Sequence, residues 1–223
     1  MQTGFITTTR RWAWTWGILA SIGLSILALP AFSATAPPAQ NILVVGDSIS
    51  AEYGLPRGSG WVVLLQQRLN ATGKKYRVVN ASISGDTTSG GRSRLSPLLE
   101  KHRPQVVIVE LGANDALRGL PLQQTRDNLA AMTAMARQTG AKVLLLGMQV
   151  PPNYGSQYTT DFAKVFVDVS QAQKTMLVPF LLKGIADGAD SQRWFQPDRI
   201  HPNAQAQGRI LENVWPYLRR LLD

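Results

Sequence analysis

Five short apolar runs, separated by segments of helical pattern, constrain the fold of this 223-residue chain more than any other feature. The runs place apolar residues at consecutive positions, which is typical of strands that are buried on both faces. They lie at residues 42–46, 76–80, 106–111, 143–148 and 176–180. Strands that alternate with helices pair in parallel. The pattern therefore predicts an α/β protein, a flavodoxin-like three-layer α/β/α sandwich with a central five-stranded parallel sheet.

The intervening segments carry apolar residues at helical spacing. Helices are predicted at residues 61–69, 122–138 and 158–172, and a further one should end near His102. Pro202 is expected to open the last helix, because proline suits the first position of a helix. No Gly-x-Gly-x-x-Gly motif follows the first strand, so a dinucleotide site is not expected.

The first residues indicate export rather than a folded core. Arg10 and Arg11 precede an apolar run at residues 12–29, and small residues follow it. These are the features of a secretory signal peptide. We expect residues 1–33 to be this signal, cleaved after Ser33, and the protein to be periplasmic or secreted; the alternative is a retained membrane anchor. Residues 34–41 then form a short linker, and residues 42–223 form one domain.

Charge and cysteine content narrow the possible partners. The chain has 23 Lys and Arg, 14 Asp and Glu, and no cysteine. An exported domain without disulfides depends on its apolar core. The excess positive charge favours transient contact with a membrane surface that carries anionic headgroups. No basic run interleaved with aromatic residues occurs, so nucleic acid is not expected as a partner. We expect a monomer.

A serine follows the first predicted strand directly, in Gly46-Asp47-Ser48. Open α/β sheets form their sites at the carboxyl ends of strands, which makes Ser48 a candidate nucleophile. Gly46 is expected there because the chain needs backbone angles that only glycine tolerates. Gly-Asp-Ser is also common turn chemistry, so this tripeptide alone leaves both interpretations open.

A nucleophilic serine needs a base, and the segment before the last helix offers one. His201 can take the serine proton, and Asp198 can hold the other ring nitrogen. Ile200, between them, is expected to point into the core, and Pro202 keeps His201 extended. A structural histidine and a turn-capping aspartate are the alternatives. Asp47, Asp198 and His201 could also ligate a metal, but the chain lacks cysteine and paired-histidine spacing, so we expect none.

Acyl transfer also builds negative charge on the substrate carbonyl oxygen, and fixed donors must hold that charge. The candidates are the backbone N–H groups of Ser48 and Gly85 and the side-chain amide of Asn114. Gly85 as an ordinary turn glycine and Asn114 as a helix cap are the structural alternatives.

Four blocks of this sequence together resemble the SGNH (GDSL-type) hydrolases. They are Gly-Asp-Ser-Ile-Ser at 46–50, Gly85, Gly-Ala-Asn-Asp at 112–115 and Asp-Arg-Ile-His at 198–201. The resemblance extends from about residue 42 to the C-terminus. It implies a catalytic triad of Ser48, Asp198 and His201. It also implies an oxyanion hole formed by Ser48, Gly85 and Asn114.

The resemblance further implies an esterase that acts on acyl thioesters, aryl and alkyl esters and lysophospholipids through an acyl-enzyme. No metal or organic cofactor is implied. Residues 116–121 follow Asn114, and we expect them to form a lid over the acyl chain. Leu117, Leu120 and Pro152 are expected to bind substrate. The alternatives are a carbohydrate O-deacetylase of the same family and a non-catalytic, basic envelope-binding protein.

Overall fold

The computed structural model describes residues 1–5 and 40–222. Met1–Ala36 and Pro37–Asp223 are separate compact units. Of the first unit only residues 1–5 are described, and they have no regular secondary structure. Most of the predicted signal peptide and linker lies outside the described residues, so both stay predictions. Within the described residues, no helix has the length and apolar character needed to cross a bilayer.

Five parallel strands form the central sheet, in the order β2-β1-β3-β4-β5. The strands are β1 (Gln40–Gly46), β2 (Tyr76–Asn80), β3 (Val106–Glu110), β4 (Lys142–Leu146) and β5 (Met176–Val178). This is the strand order of flavodoxin-like sheets. The predicted flavodoxin-like sandwich with a five-stranded parallel sheet is therefore confirmed.

The described residues contain six α-helices, which pack mainly in two groups. They are α1 (Trp61–Ala71), α2 (Thr88–His102), α3 (Ala113–Leu117), α4 (Leu122–Gln138), α5 (Ser156–Gln173) and α6 (Gln207–Arg219). α1 packs on α6, whereas α4 packs on both α2 and α5. The short helix α3 was not predicted, and it overlaps the predicted lid at residues 116–121 only through Ala116 and Leu117.

The middle of the sheet is the core of the domain. Ile42, Leu43, Val44, Ile108 and Leu144 are completely buried. Burying one such side chain stabilises a fold by about 1.5–3 kcal/mol relative to leaving it exposed. The strand interiors therefore provide the rigid support from which the loops at the carboxyl edge project.

The last helix begins later than predicted. Pro202 does not open it, because Pro202 pairs with Phe195 in an antiparallel bridge. The side chain of Asn203 then accepts hydrogen bonds from the backbone N–H groups of Gln205 and Ala206. This asparagine cap starts a 3-10 turn, Ala204–Ala206, and α6 follows at Gln207. The prediction that Pro202 opens the last helix was therefore wrong.

Candidate active site

Ser48 lies just beyond β1, in a turn that is closed by the backbone. The N–H of Ala51 donates to the carbonyl of Asp47, and the N–H of Tyr53 donates to that of Ser48. Ser48 is 8% exposed, so most of its surface is covered by neighbouring residues. Because all strands are parallel, the loops that follow β2 and β3 open at the same edge.

Gly46 is required for space rather than for unusual backbone angles. It lies within β1 and is not among the residues of positive φ. A Cβ at this position would lie 2.8 Å from Oε2 of Glu110 and 2.9 Å from Oγ of Ser50. The sequence prediction about its backbone angles was therefore wrong. Glycine is needed because a buried carboxyl group packs directly against the strand.

Asp198 and His201 meet across a tight turn. Asp198 Oδ1 accepts hydrogen bonds from the backbone N–H groups of Ile200 and His201, at 2.9 and 3.0 Å. Arg199 adopts the left-handed region with φ 60°, which is costly for a residue with a Cβ. The turn brings Oδ2 of Asp198 to 2.7 Å from Nδ1 of His201. Ile200 is 52% exposed, so the expectation that it points into the core was wrong.

The His201 ring connects this turn to Ser48, since its Nε2 lies 2.9 Å from Ser48 Oγ. A carboxylate can only accept hydrogen bonds, so Nδ1 must carry the proton that it shares with Asp198. In the neutral ring, Nε2 is then free to accept the hydroxyl proton of Ser48. Tyr53 packs on the same ring, with the centroids 4.3 Å apart. No sequence signal pointed to Tyr53.

The charge state of Asp198 suits this arrangement. Although burial opposes its ionisation, hydrogen bonds from the backbone N–H groups of His201 and Ile200, and from the His201 ring, lower the pKa of Asp198 to about 2. Asp198 is therefore an anion at any pH where a histidine titrates. It stabilises the proton on Nδ1 and would stabilise a positively charged ring.

Gly85 lies in the loop that follows β2. The N–H of Ile83 donates to the carbonyl of Gly46, which ties the β2 loop to the end of β1. Residues 83–86 form a β-turn in which Gly85 has φ 79°, a conformation that favours glycine. Within the described part of the chain, the backbone N–H groups of Ser48 and Gly85 donate no hydrogen bond. Both groups are therefore available to a ligand.

Asn114 lies in the first turn of α3, after Gly112 with φ 121°. Its Nδ2 donates to Oδ2 of Asp47 at 3.1 Å. An amide nitrogen carries two hydrogens, so the second remains available to a ligand. The next residue, Asp115, is buried and accepts hydrogen bonds from the backbone N–H and the hydroxyl of Thr88, which anchors α3 to the start of α2.

A buried pair of acids lies beneath the Ser48 turn and was not predicted. Glu110, the last residue of β3, is completely buried, and Asp47 is 1% exposed. Burial raises the pKa of Glu110 well above its ordinary value, and the charge of Asp47 raises it further. Burial also raises the pKa of Asp47, to about 6. The sequence signal for this pair was one acidic residue, Glu110, at the end of an apolar run.

The predicted substrate-binding residues differ in their surroundings. Leu117 ends α3 and is 38% exposed, whereas Leu120 is half-buried. Gly119 between them has φ 64°, so the backbone bends there. Pro152 begins a 3-10 turn, Pro152–Tyr154, and its side chain is outside the described structure.

Among the described residues, no three His, Asp or Glu side chains are grouped as metal ligands would be.

Known sequences match most of this chain. A profile of the GDSL-like lipase/acylhydrolase family matches residues 44–209. Esterase TesA of Pseudomonas aeruginosa is 55% identical over 184 residues, which cover 82% of this chain and 90% of that protein. Thioesterase 1/protease 1/lysophospholipase L1 of Escherichia coli (strain K12) is 36% identical over 200 residues, which cover 90% of this chain and 93% of that protein.

Solved structures are similar over the same region. The crystal structure of TesA has a TM-score of 0.78 at 54% identity, covering 82% of this chain and 99% of that one. The psychrotrophic esterase EstA from Pseudoalteromonas, in a structure inhibited by monoethylphosphonate, has a TM-score of 0.76 at 38% identity, covering 82% of this chain and 98% of that one. These matches exclude a non-catalytic binding protein. The chain therefore belongs to the GDSL-like lipase/acylhydrolase family, as its resemblance to the SGNH (GDSL-type) hydrolases predicted, and it is a serine hydrolase that acts on esters.

Proposed function

We propose that the protein is an exported esterase in which Ser48 is the nucleophile, His201 is the general base and Asp198 orients His201. The observation that carries this proposal is the continuous hydrogen-bond chain from Ser48 Oγ to the His201 ring, at 2.9 Å, and from the ring to Asp198, at 2.7 Å. A serine hydroxyl becomes a useful nucleophile only when such a base accepts its proton.

The reaction proceeds in two steps. Ser48 Oγ attacks the carbonyl carbon of the ester while Nε2 of His201 takes the hydroxyl proton. The oxyanion of the tetrahedral intermediate is held by the N–H groups of Ser48 and Gly85 and by Nδ2 of Asn114. His201 then gives its proton to the leaving alcohol or thiol. Water, activated by the same ring, attacks the acyl-enzyme and releases the acid.

Labelling with an organophosphonate tests the nucleophile. The reagent should add one phosphonyl group to the purified protein, and peptide mass spectrometry should locate that group on Ser48. The Ser48→Ala variant should remain unlabelled, and labelling at any other residue would reject the assignment. A Ser93→Ala variant serves as the control, because Ser93 is an exposed residue of α2.

Removing the Asn114 amide should reduce turnover more than it weakens substrate binding. Its second amide hydrogen should bond the developing oxyanion more strongly than the ground-state carbonyl. Loss of one such donor costs roughly 10²–10³-fold in turnover in a well-studied protease. Steady-state kinetics of Asn114→Ala, beside Asn70→Ala on the exposed face of α1, measures this effect. A raised KM with unchanged kcat would mean that Asn114 only binds substrate.

Residues 116–121 are proposed to be the lid over the acyl chain. The exposed Leu117 and half-buried Leu120 follow Asn114 closely, and the bend at Gly119 gives their segment a hinge. Each methylene of an acyl chain gains about 0.8 kcal/mol when it is buried. Truncating both leucines to alanine should lower kcat/KM for a long-chain ester by roughly tenfold and spare a short one.

The control for this variant is Leu98→Ala, which truncates a half-buried leucine of α2. It should leave the ratio between long-chain and short-chain esters unchanged. A uniform loss on both esters, together with a lower Tm, would mean that Leu117 and Leu120 only support the fold.

The substrate class proposed within the esters includes acyl thioesters, aryl esters and lysophospholipids. The family match and the names of the relatives support this range. The carbohydrate O-deacetylase remains the alternative. Comparing kcat/KM for an acetylated sugar with kcat/KM for a long-chain acyl thioester separates the two. We also propose that the protein is monomeric and that residues 1–33 export it.

A transient membrane contact is proposed for the edge of the sheet opposite Ser48. This basic edge comprises Lys74, Lys75, Lys101, Arg103, Arg137, Lys142, Lys174, Arg219 and Arg220, all near helix ends or strand starts. Within the described part of the chain, no salt bridge is formed by Lys75, Lys101, Arg103, Arg137, Lys174, Arg219 or Arg220. A basic residue near an anionic bilayer contributes about 1 kcal/mol to binding.

Vesicle sedimentation tests this contact. The protein should bind vesicles that contain phosphatidylglycerol, should not bind pure phosphatidylcholine, and should be released by salt. Reversing Lys101 and Arg103 to glutamate should weaken binding roughly tenfold or more. Reversing Arg57 and Lys183, which lie away from the basic edge, changes net charge equally and should have less effect. Equal losses in both variants would reject a specific docking edge.

A further inference from the structure

We propose that Glu110 is a protonated carboxylic acid that positions the turn at residues 47–50 and, through Asp47, the amide of Asn114. This inference rests on the proposed role of Asn114 in the oxyanion hole. It gives a task to a buried acid that the reaction itself does not use.

The contacts of Glu110 all lead to the Ser48 turn. Glu110 is opposite Gly46 in the sheet register, and its carboxyl group reaches under the turn. Oε2 accepts hydrogen bonds from Oγ of Ser50 at 2.8 Å and from the backbone N–H of Asp47 at 3.2 Å. The indole N–H of Trp61 donates to the same Ser50 hydroxyl at 3.2 Å. The residues on both sides of Ser48 are thus held by one carboxyl group.

The surroundings of the two acids decide which one carries a proton. Among the described residues, Glu110 forms no salt bridge, and its Oε1 has no hydrogen-bond partner in the side-chain and backbone atoms around it. Asp47, in contrast, accepts from the backbone N–H of Ile49 at 3.0 Å and from Asn114. The charge of Asp47 raises the pKa of Glu110, because two neighbouring buried carboxyl groups do not readily ionise together. The proton therefore resides on Glu110, and Asp47 is the anion.

The location of this proton determines how Asn114 presents its amide. An ionised Asp47 can only accept hydrogen bonds, so Asn114 must turn its nitrogen toward Asp47. The second hydrogen of that nitrogen then remains available to an oxyanion. A protonated Asp47 could instead donate to the amide oxygen of Asn114 and permit the flipped amide. Glu110 thereby favours the orientation in which Asn114 is a donor.

Two substitutions of Glu110 distinguish three possible roles: a neutral acid, an anion and a residue that only fills space. Glu110→Gln keeps the shape and an oxygen that accepts from Ser50 and Asp47, and it carries no charge. Glu110→Leu keeps only the volume. We expect Glu110→Leu to lower kcat by roughly 10–100-fold with little change in KM, because misplacing reacting groups slightly is this costly. Glu110→Gln should restore most of that loss.

A double variant and a destabilised control make the test specific. In an Asn114→Ala background, Glu110→Leu should cost much less than it does alone, since residues that act as a unit are not additive. Leu144→Ala truncates a buried leucine of β4 away from the site. This variant should lower the Tm, but the kcat of its folded molecules should equal that of the unmodified protein.

Each outcome has one consequence. If Glu110→Leu lowers the Tm like Leu144→Ala but keeps its kcat, Glu110 is structural only and the inference is wrong. If Glu110→Gln is as damaging as Glu110→Leu, Glu110 acts as an anion, and the protonated acid is rejected. If Asn114→Ala itself leaves turnover unchanged, the proposed oxyanion hole fails first. A costly Asn114→Ala beside a harmless Glu110→Leu rejects the role of Glu110 alone.

Discussion

Replacing Ser48 with alanine should abolish ester hydrolysis while the fold is retained. The substitution removes one hydroxyl group, and the hydrogen bond it loses is the one to Nε2 of His201. In a well-studied protease, loss of the triad serine lowers turnover by roughly 10⁶-fold. Turnover of a chromogenic short-chain ester by the purified variant is the measurement.

Two checks make that result interpretable. Circular dichroism and the Tm of Ser48→Ala should match those of the unmodified protein, because the turn is closed by backbone hydrogen bonds that the variant keeps. The Ser93→Ala control should retain full activity. A Ser48→Ala variant that keeps most of its turnover would reject the nucleophile and, with it, the proposed mechanism.

The sheet could be predicted because its strands are runs of apolar residues, a pattern that is visible in the sequence alone. α3 could not, since Ala113–Leu117 spans barely more than one helical turn and shows no periodicity. Its buried polar residue, Asp115, is satisfied by Thr88, a partner 27 positions away in the sequence. Contacts of that kind are set by the packing of the finished domain.

The functional site likewise combines residues that the sequence indicates with residues that only the fold brings together. Ser48, Asp198 and His201 could be proposed because each follows a strand or precedes a helix in a loop at one edge. The role of Glu110 beneath the Ser48 turn could not be proposed, because in the sequence Glu110 is a single acid in an apolar strand. Its role depends on the register that places it opposite Gly46. Ile200 was misplaced for a related reason: the left-handed turn at Arg199 leaves no pattern in the sequence.

Replacing His201 with alanine should reduce turnover nearly as much as Ser48→Ala, and Asp198→Ala should reduce it less. Without the ring, no group accepts the Ser48 proton. Without Asp198, the ring loses its orientation but keeps its basic nitrogen. In a well-studied protease the corresponding losses are roughly 10⁶-fold and 10⁴-fold. The matched control is His102→Ala, because His102 ends α2 at the opposite edge of the sheet and should not affect turnover.

The pH dependence of turnover identifies the base. Turnover should rise with pH, because only a neutral imidazole can accept the proton of Ser48. Asp198 cannot cause this rise, since its pKa is about 2. Asp47 could, because burial raises its pKa to about 6, and below that pH it no longer holds the Asn114 amide as an anion does. The rise should therefore persist in Asp47→Asn if His201 is the base. A rate that is independent of pH in this variant, with chemistry shown to be rate-limiting, would assign the titration to Asp47 instead.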